Sequence, residues 1–242
     1  MSLSMDRTEN LALRRVNGGI QIIQPENVPK AKKAENTLTV SQLLALPISA
    51  WFLDKSGATL AMNTEGVNIC GFDSLQDALG HSIEAVSEAE SARQLIHNCH
   101  EVIRLEQTRI YEETHIRSDG LSQQFLSVKS PLYDTRHSII GICGFSIVLG
   151  RHPLAASLNL LAHLGLLDAP SAKNRPEPNQ LRQLNLPPRE KQCLELLLRG
   201  FTAKMIARQL ALSFRTVESY LESLKRRLGA SSKTELVNMF SA

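Results

Sequence analysis

SFRTVESYLESLKRRLG, residues 213–229, is the stretch from which the rest of the chain is best read. Val217, Leu221, Leu224 and Leu228 recur at spacings of four, three and four, which makes one apolar face of an α-helix. At about 100° per residue, Arg215, Ser219, Glu222 and Arg226 fall together on the opposite face. Ser213 supplies an N-cap and Gly229 a terminator. Upstream, Thr202 caps a shorter predicted helix with Ile206, Ala207 and Leu210 on its apolar side, and only Ala211 and Leu212 separate that helix from Ser213. Two helices joined by so short a turn, the second with a polar stripe outward, are the parts of a helix-turn-helix. The pattern implies binding to double-stranded DNA.

Charge agrees with that implication. Residues 182–242 hold 11 Lys and Arg against 5 Asp and Glu, a net +6, while residues 1–181 hold 16 against 19, a net −3. The overall +3 therefore conceals a basic C-terminal module, the footprint expected for phosphate contact. Lys225, Arg226 and Arg227 have a second reading, since basic residues in a last helical turn also complement the helix dipole.

Four stretches then carry a family resemblance: LPPREKQCLELLLRG, FTAKMIARQLALS, RTVESYLESLKRRLGA and SSKTELV. With this unbroken spacing, the region from Leu186 to Phe240 resembles the LuxR-type (GerE-type) four-helix DNA-binding domain of bacterial transcription regulators. The resemblance makes residues 214–228 the recognition helix, and implies that the fourth helix contributes to dimerisation, where Leu236, Val237 and Phe240 would serve the core, the dimer, or both. Ser232 and Glu235 form a capping-box signature at that helix's start. Pro187 and Pro188 stand where the family has a Thr cap, and give a rigid helix start instead. Glu218 and Tyr220 depart from the family's frequent Lys and His, and Glu222 sets a second acid on the same surface. A Glu there either accepts from cytosine N4 or forms a helix-stabilising pair, as Glu222 would with Arg226. The expected base-facing residues are Arg215, Glu218, Ser219 and Glu222, and the expected phosphate-facing residues are Thr202, Lys204, Thr216, Lys225 and Arg226.

At 242 residues the chain has room for two domains. Cys70, Cys99, Cys143 and Cys193 lie far apart with no CxxC pair, which argues for a reducing compartment and against a thiolate zinc site. The start reads as no signal peptide, and the longest apolar run, 139–149, is too short for a membrane span, so a cytoplasmic location is expected. A short helix is predicted near Thr8–Arg15, followed by an extended arm over Asn17–Asn36 whose Lys30, Lys32 and Lys33 read as a solvated charge run. A Pro-rich linker is predicted over 168–185. Before it, Leu154, Leu158, Leu161 and Leu164 space a helix that packs with partial dimer contact.

Between these breaks the pattern changes. Trp51–Leu53 and Ala58–Met62 read as strands around an Asp54–Gly57 turn, followed by helical segments over 64–70, 74–79 and 87–105. Three strand signals come next, at 108–117, 123–133 and 138–149, with a hairpin turn at Asp119-Gly120. The expectation is an α+β domain with a five-stranded antiparallel sheet. LPISAWFLDKSGATLAMN, ICGF, SDG, PLYD and IIGICGFSIVL make this region similar to PAS sensor domains, departing from them at His137, where a turn Gly is common. That resemblance implies a site for a small-molecule ligand.

Two neighbouring families make different demands on the residues. A phosphoacceptor receiver domain would use Asp54, but Asp54 opens an Asp-Lys-Ser-Gly turn and three strands run together at the end. An acyl-homoserine-lactone receptor pocket is rich in Trp and Tyr, whereas this chain has 1 Trp and 3 Tyr. His97 and His100 are near neighbours on a helix without a third or fourth metal ligand in sight, and are the weak candidates for haem ligation. Cys70 lacks the sequence context of flavin-binding PAS domains. No cofactor is therefore assigned, haem and flavin standing as the alternatives, and no catalytic set or metal site emerges.

The expected organisation is an N-terminal helix and arm over 1–36, a PAS-like sensor and dimerisation domain over 37–150, a helix and linker over 151–185, and an all-α four-helix LuxR-type helix-turn-helix domain over 186–242. The expected function is that of a homodimeric, signal-sensing DNA-binding regulator and not an enzyme. The alternatives are a lactone-type quorum receptor, or a regulator whose middle domain only dimerises or docks a protein.

Overall fold

The structure is a computed structural model that describes residues 12–23, 37–167 and 186–240. It divides into two compact units, Met1–Val148 and Leu149–Ala242. In the first unit, β1 (Ala12–Val16) and β2 (Gly19–Ile23) form an antiparallel hairpin, and β3 (Thr37–Thr39) pairs with β1. This corrects the sequence reading of a helix ending at Arg15 and an extended arm from Asn17. The cause is Asn17-Gly18: a two-residue loop with Gly18 at φ +85° suits the right-handed twist of a hairpin, and here outweighed the helix propensity upstream. The Lys30, Lys32 and Lys33 run and the 168–185 linker lie outside the described residues.

Thr39 ends β3 and caps α1 (Val40–Leu44) through a complete capping box with Gln42. β4 (Ser49–Asp54) and β5 (Thr59–Met62) follow as a hairpin. Asp54 Oδ1 accepts from Ser56 N, Ser56 Oγ and Ala58 N at 2.7–2.9 Å, so its carboxylate is consumed by the turn, as the sequence suggested. α2 (Thr64–Cys70), α3 (Leu75–Ala78), a 3-10 turn (Ile83–Val86) and α4 (Ala89–Leu105) cross over to β6 (Arg109–Ile116), β7 (Ser122–Tyr133) and β8 (Ile139–Val148). Asn63, 4% exposed, ties the opening of this domain together. Its Oδ1 accepts from Ala50 N and Gly66 N, and its Nδ2 donates to Ile48 O and Leu46 O, filling the capacity of a buried amide.

Laterally the sheet runs β3-β1-β2-β7-β8-β4-β5, with β6 also paired to β7. The five-stranded expectation thus becomes eight. β4–β8 are the five strands expected from the sequence, with β8 paired antiparallel to both β4 and β7. The addition is possible because the twelve-residue β7 divides its outer edge. Its first part, up to Lys129, pairs antiparallel with β6, while Leu132 and Tyr133 pair in parallel with Ile20 and Gln21 of β2. Pro131, which has no N–H to donate, stands at the handover. Gly19 allows the close approach: a Cβ there would lie 2.5 Å from Pro131 O. His137 takes φ +64°, and is held there by stacking on Tyr133 at 4.4 Å in a loop where Asp134 accepts from Arg136 N and Ser138 N.

The second unit is all helical: α5 (Leu154–His163), α6 (Pro188–Leu198), α7 (Ala203–Leu210), α8 (Phe214–Leu228) and α9 (Lys233–Met239). Pro188 at the first helical position starts α6, where its missing N–H costs no helical bond. α8 packs on α6, α7 and α9. α5, expected from its leucine spacing to be a packing helix, lies on α6 and α9 and buries Leu154, Leu158 and Leu161. Leu236 and Val237 of α9 are fully buried within this unit.

Candidate functional site

In the second unit the turn between α7 and α8 is built by local hydrogen bonds. Thr202 Oγ1 accepts from Met205 N at 3.3 Å, and Ser213 Oγ accepts from Thr216 N at 3.0 Å. Ala211 turns the chain at φ +53°, and Leu212 N reaches back to Ala207 O at 2.9 Å, closing the end of α7. Val217, Leu221 and Leu224 are fully buried, so the opposite side of α8 must face out. Arg215, Ser219, Glu222 and Arg226 are all exposed, as the spacing predicted, and Lys204 of α7 is exposed as well.

The remaining residues expected at DNA have other engagements. Thr202 and Thr216 are half-buried, the first as a cap and the second sharing a 2.8 Å hydroxyl contact with Ser213. Glu218 pairs with Lys233 of α9 at 3.0 Å. Glu222 pairs with Lys225 at 2.7 Å rather than with Arg226, because the three-residue spacing also brings the groups to one side of the helix. Both acids on α8 thus carry a lysine partner, which lowers the repulsion a phosphate backbone would meet. The capping box of α9 is also modified. Glu235 N bonds Ser232 Oγ at 3.0 Å, but the Glu235 carboxylate takes Ser231 N at 2.7 Å and the Ser231 hydroxyl instead of the Ser232 backbone.

The first unit contains a cavity of about 90 Å³ between the sheet and α2–α4. Trp51, Met62, Phe72, Ile103, Phe125 and Ile142 give it apolar walls. Its polar groups come from the strands. Lys129 Nζ lies 2.6 Å from Glu113 Oε1, with both side chains 3% exposed, and also donates to Leu95 O at 3.3 Å and Cys99 Sγ at 3.5 Å. Glu113 Oε1 further accepts from Asn98 Nδ2 at 2.8 Å. Burial alone would lower the Lys129 ammonium, but the Glu113 carboxylate, with the Cys99 sulfur accepting a hydrogen bond from the ammonium, holds it above the ordinary lysine range. Burial also pushes the Cys99 thiol up, and Cys70 rises to about 12, so both sulfurs are neutral thiols at neutral pH. Along the neighbouring strands, Trp51 Nε1 donates to Ser146 Oγ, which contacts Ser127 Oγ, each at 3.1 Å.

His115 completes the polar rim at 2% exposure. The single proton of the Ser87 hydroxyl goes to Ile83 O at 2.7 Å, so His115 Nε2, 2.7 Å from Ser87 Oγ, is the donor in a neutral ring. Burial first, and the charge of Arg117 second, lower His115 from 6.5 to about 4. In the unfolded chain the ring takes a proton as pH falls below about 6.5, whereas the folded protein resists until about 4. Its contribution is therefore fully present above pH 6.5 and is lost as pH falls towards 4. His115→Gln, which keeps a donor to Ser87, is expected to flatten the fall in melting temperature between those values. Equal pH slopes for the two proteins would contradict this.

His97 and His100 are both exposed on α4. His100 reaches the cavity rim, but His97 lies on an outer groove with Glu84, Glu90 and Arg93. The inward residues of that helical turn are Asn98 and Cys99. Among the described residues no group of three or more His, Cys, Asp or Glu is placed to hold a metal ion. Sequence reading missed Glu113, His115, Ser127, Lys129 and Ser146. Their one signal is a two-residue period within strands, and it is ambiguous because EETHI is polar on both faces.

Residues 184–240 match the family described as "Bacterial regulatory proteins, luxR family". The transcriptional regulatory protein FixJ of Bradyrhizobium diazoefficiens is 36% identical over 72 residues, covering 29% of this chain and 35% of that protein. The chain thus spans about a third of the length of that relative. Among solved structures, the fold is similar to a VqmA–ligand–DNA complex from Vibrio cholerae, at 24% identity and a TM-score of 0.43, covering 84% of this chain and 86% of that one. It is also similar to a PAS domain from Colwellia psychrerythraea, at 14% identity and a TM-score of 0.38, covering 43% and 87%. The Leu149–Ala242 unit contains the helix-turn-helix segment that matches this luxR family, and it is preceded in the chain by an α+β unit.

Proposed function

We propose that this protein is a homodimeric, sequence-specific DNA-binding transcription regulator whose PAS-like unit senses a small molecule. The observation that carries the reading is α8: a buried apolar face holds Arg215, Ser219, Glu222 and Arg226 outward, within a segment that matches a family of regulators. In this reading α8 enters the major groove, one copy per half-site, with half-sites about one helical turn apart. Arg215, Ser219 and Glu222 face bases, joined by Glu218 if it leaves Lys233. Thr202, Lys204, Thr216, Lys225 and Arg226 face phosphates.

The cavity favours a neutral ligand. Lys129 is already balanced by Glu113, and His115, Cys70 and Cys99 are uncharged, so an ionic ligand would bring an uncompensated charge into a buried site. A small, mostly apolar molecule with one or two polar atoms fits those walls. Trp51, the only tryptophan, lines the cavity, so its fluorescence reports occupancy directly. A haem or flavin band in the absorption spectrum of the purified protein would point instead to a bound chromophore. No helix among the described residues is long and apolar enough to cross a membrane.

Selection of genomic fragments by the full-length protein at two salt concentrations tests the DNA reading. Enrichment of an inverted repeat with a steep salt response supports a DNA-competent dimer, while a single asymmetric half-site bound by a monomer sinks the dimer. Lys204→Ala is expected to weaken binding to every sequence by a similar factor and to lower the salt slope by about one. An unchanged slope would remove Lys204 from the phosphate contacts.

A further inference from the structure

We propose that Phe214 is a specificity residue that reads the 5-methyl group of a thymine in the bound site, a proposal that rests on the DNA-binding reading above. Phe214 is the first residue of α8, directly after the Ser213 cap, and is 47% exposed. Among the described residues only Leu121 matches it as an exposed large hydrophobic side chain. An apolar ring left in water at the tip of a polar helix gains from a partner, and its neighbours define where that partner lies. Arg215, beside it, opens the exposed stripe. Glu218, one turn further on the same side of the helix, is drawn to Lys233. The position expected to supply a hydrogen-bonding group to a base edge is thus engaged elsewhere, and the residue exposed next to it offers only apolar surface.

In a major groove the apolar feature on a base edge is the thymine methyl group, and the N-terminal residues of a recognition helix are those that reach base edges. The ring would dock edgewise against that methyl while Arg215 takes a neighbouring polar edge. Phe214 carries no charge, so its removal changes discrimination between bases without changing the number of phosphates neutralised.

The test uses full-length protein and the site selected above. Each thymine is replaced in turn by deoxyuridine, which pairs identically but lacks the methyl group. Wild-type protein is expected to lose about fourfold in affinity at one thymine position, the value of one buried methyl-sized group. Phe214→Ala is expected to bind the thymine and uracil sites equally, with an unchanged salt slope, and Phe214→Leu to retain part of the preference. A uracil scan with no sensitive position overturns the proposal, as does Phe214→Ala with the wild-type thymine preference. Phe214→Ala and Phe214→Leu failing together on every sequence would also overturn it, by making Phe214 a structural residue. Failure of the DNA reading itself looks different: the wild-type protein then selects no sequence at all.

Discussion

Lys129→Met is expected to destabilise the N-terminal unit by about 3–5 kcal/mol in chemical denaturation, the usual cost of stranding one partner of a buried ion pair. Lys129 and Glu113 are 2.6 Å apart with side chains 3% exposed, on adjacent strands β7 and β6. Methionine roughly preserves the volume of the lysine stem. The loss comes from Glu113, left as a buried carboxylate with the Asn98 amide beside it and its cation gone. Adding Glu113→Gln removes that charge while keeping a group that can bond Asn98. The double variant should therefore regain most of the stability, even though the attraction between Lys129 and Glu113 is still absent. A double variant as unstable as the single one would show that the pair is not what holds this region. The contrast also bears on sensing. If the neutral double variant stays folded, its Trp51 fluorescence response to ligand separates a binding role of the polar pair from a folding role.

Leu221→Ala in α8 is expected to cost about 2–5 kcal/mol, from lost burial and the cavity left behind. Leu221 is fully buried in the centre of the face packed on α6, α7 and α9. The same helix offers its own control. Ser219 is exposed on the opposite face, and Ser219→Ala should stay within about 0.5 kcal/mol of wild type. DNA binding should then divide the two variants in different ways. Leu221→Ala loses affinity for all sequences in step with unfolding of the module and regains it on cooling towards the stability maximum. Ser219→Ala changes affinity only through the bases it faces. Near-equal stabilities of the two variants would contradict the assignment of buried and exposed faces.

The parts legible in the sequence are those governed by neighbours along the chain. The faces of α8, its Ser213 and Gly229 caps, the Thr202 cap of α7 and the Asp54 turn all depend on contacts within a few residues. The N-terminal hairpin was equally local. Asn17-Gly18 signals it, and the prolines and lysines of the stretch that follows mask that signal.

Four other features depend on partners far away in the chain. The divided edge of β7 brings Leu132 to Ile20, more than a hundred positions apart. Lys129 finds Glu113 only when β6 and β7 pair in one particular register, since a one-residue slip of β6 would turn Glu113 to the face opposite Lys129. Glu218 meets Lys233 across two helices, and α5 finds its cover on α6 and α9. By itself, then, the sequence determined which helices and turns form and that α8 presents a polar stripe. Only the tertiary structure decided which polar residues line the cavity and which acids on α8 are already engaged. The reason is physical: period and capping act between residues held close by the chain, whereas a buried charge or a strand edge is satisfied by whichever distant group the packed fold brings within reach.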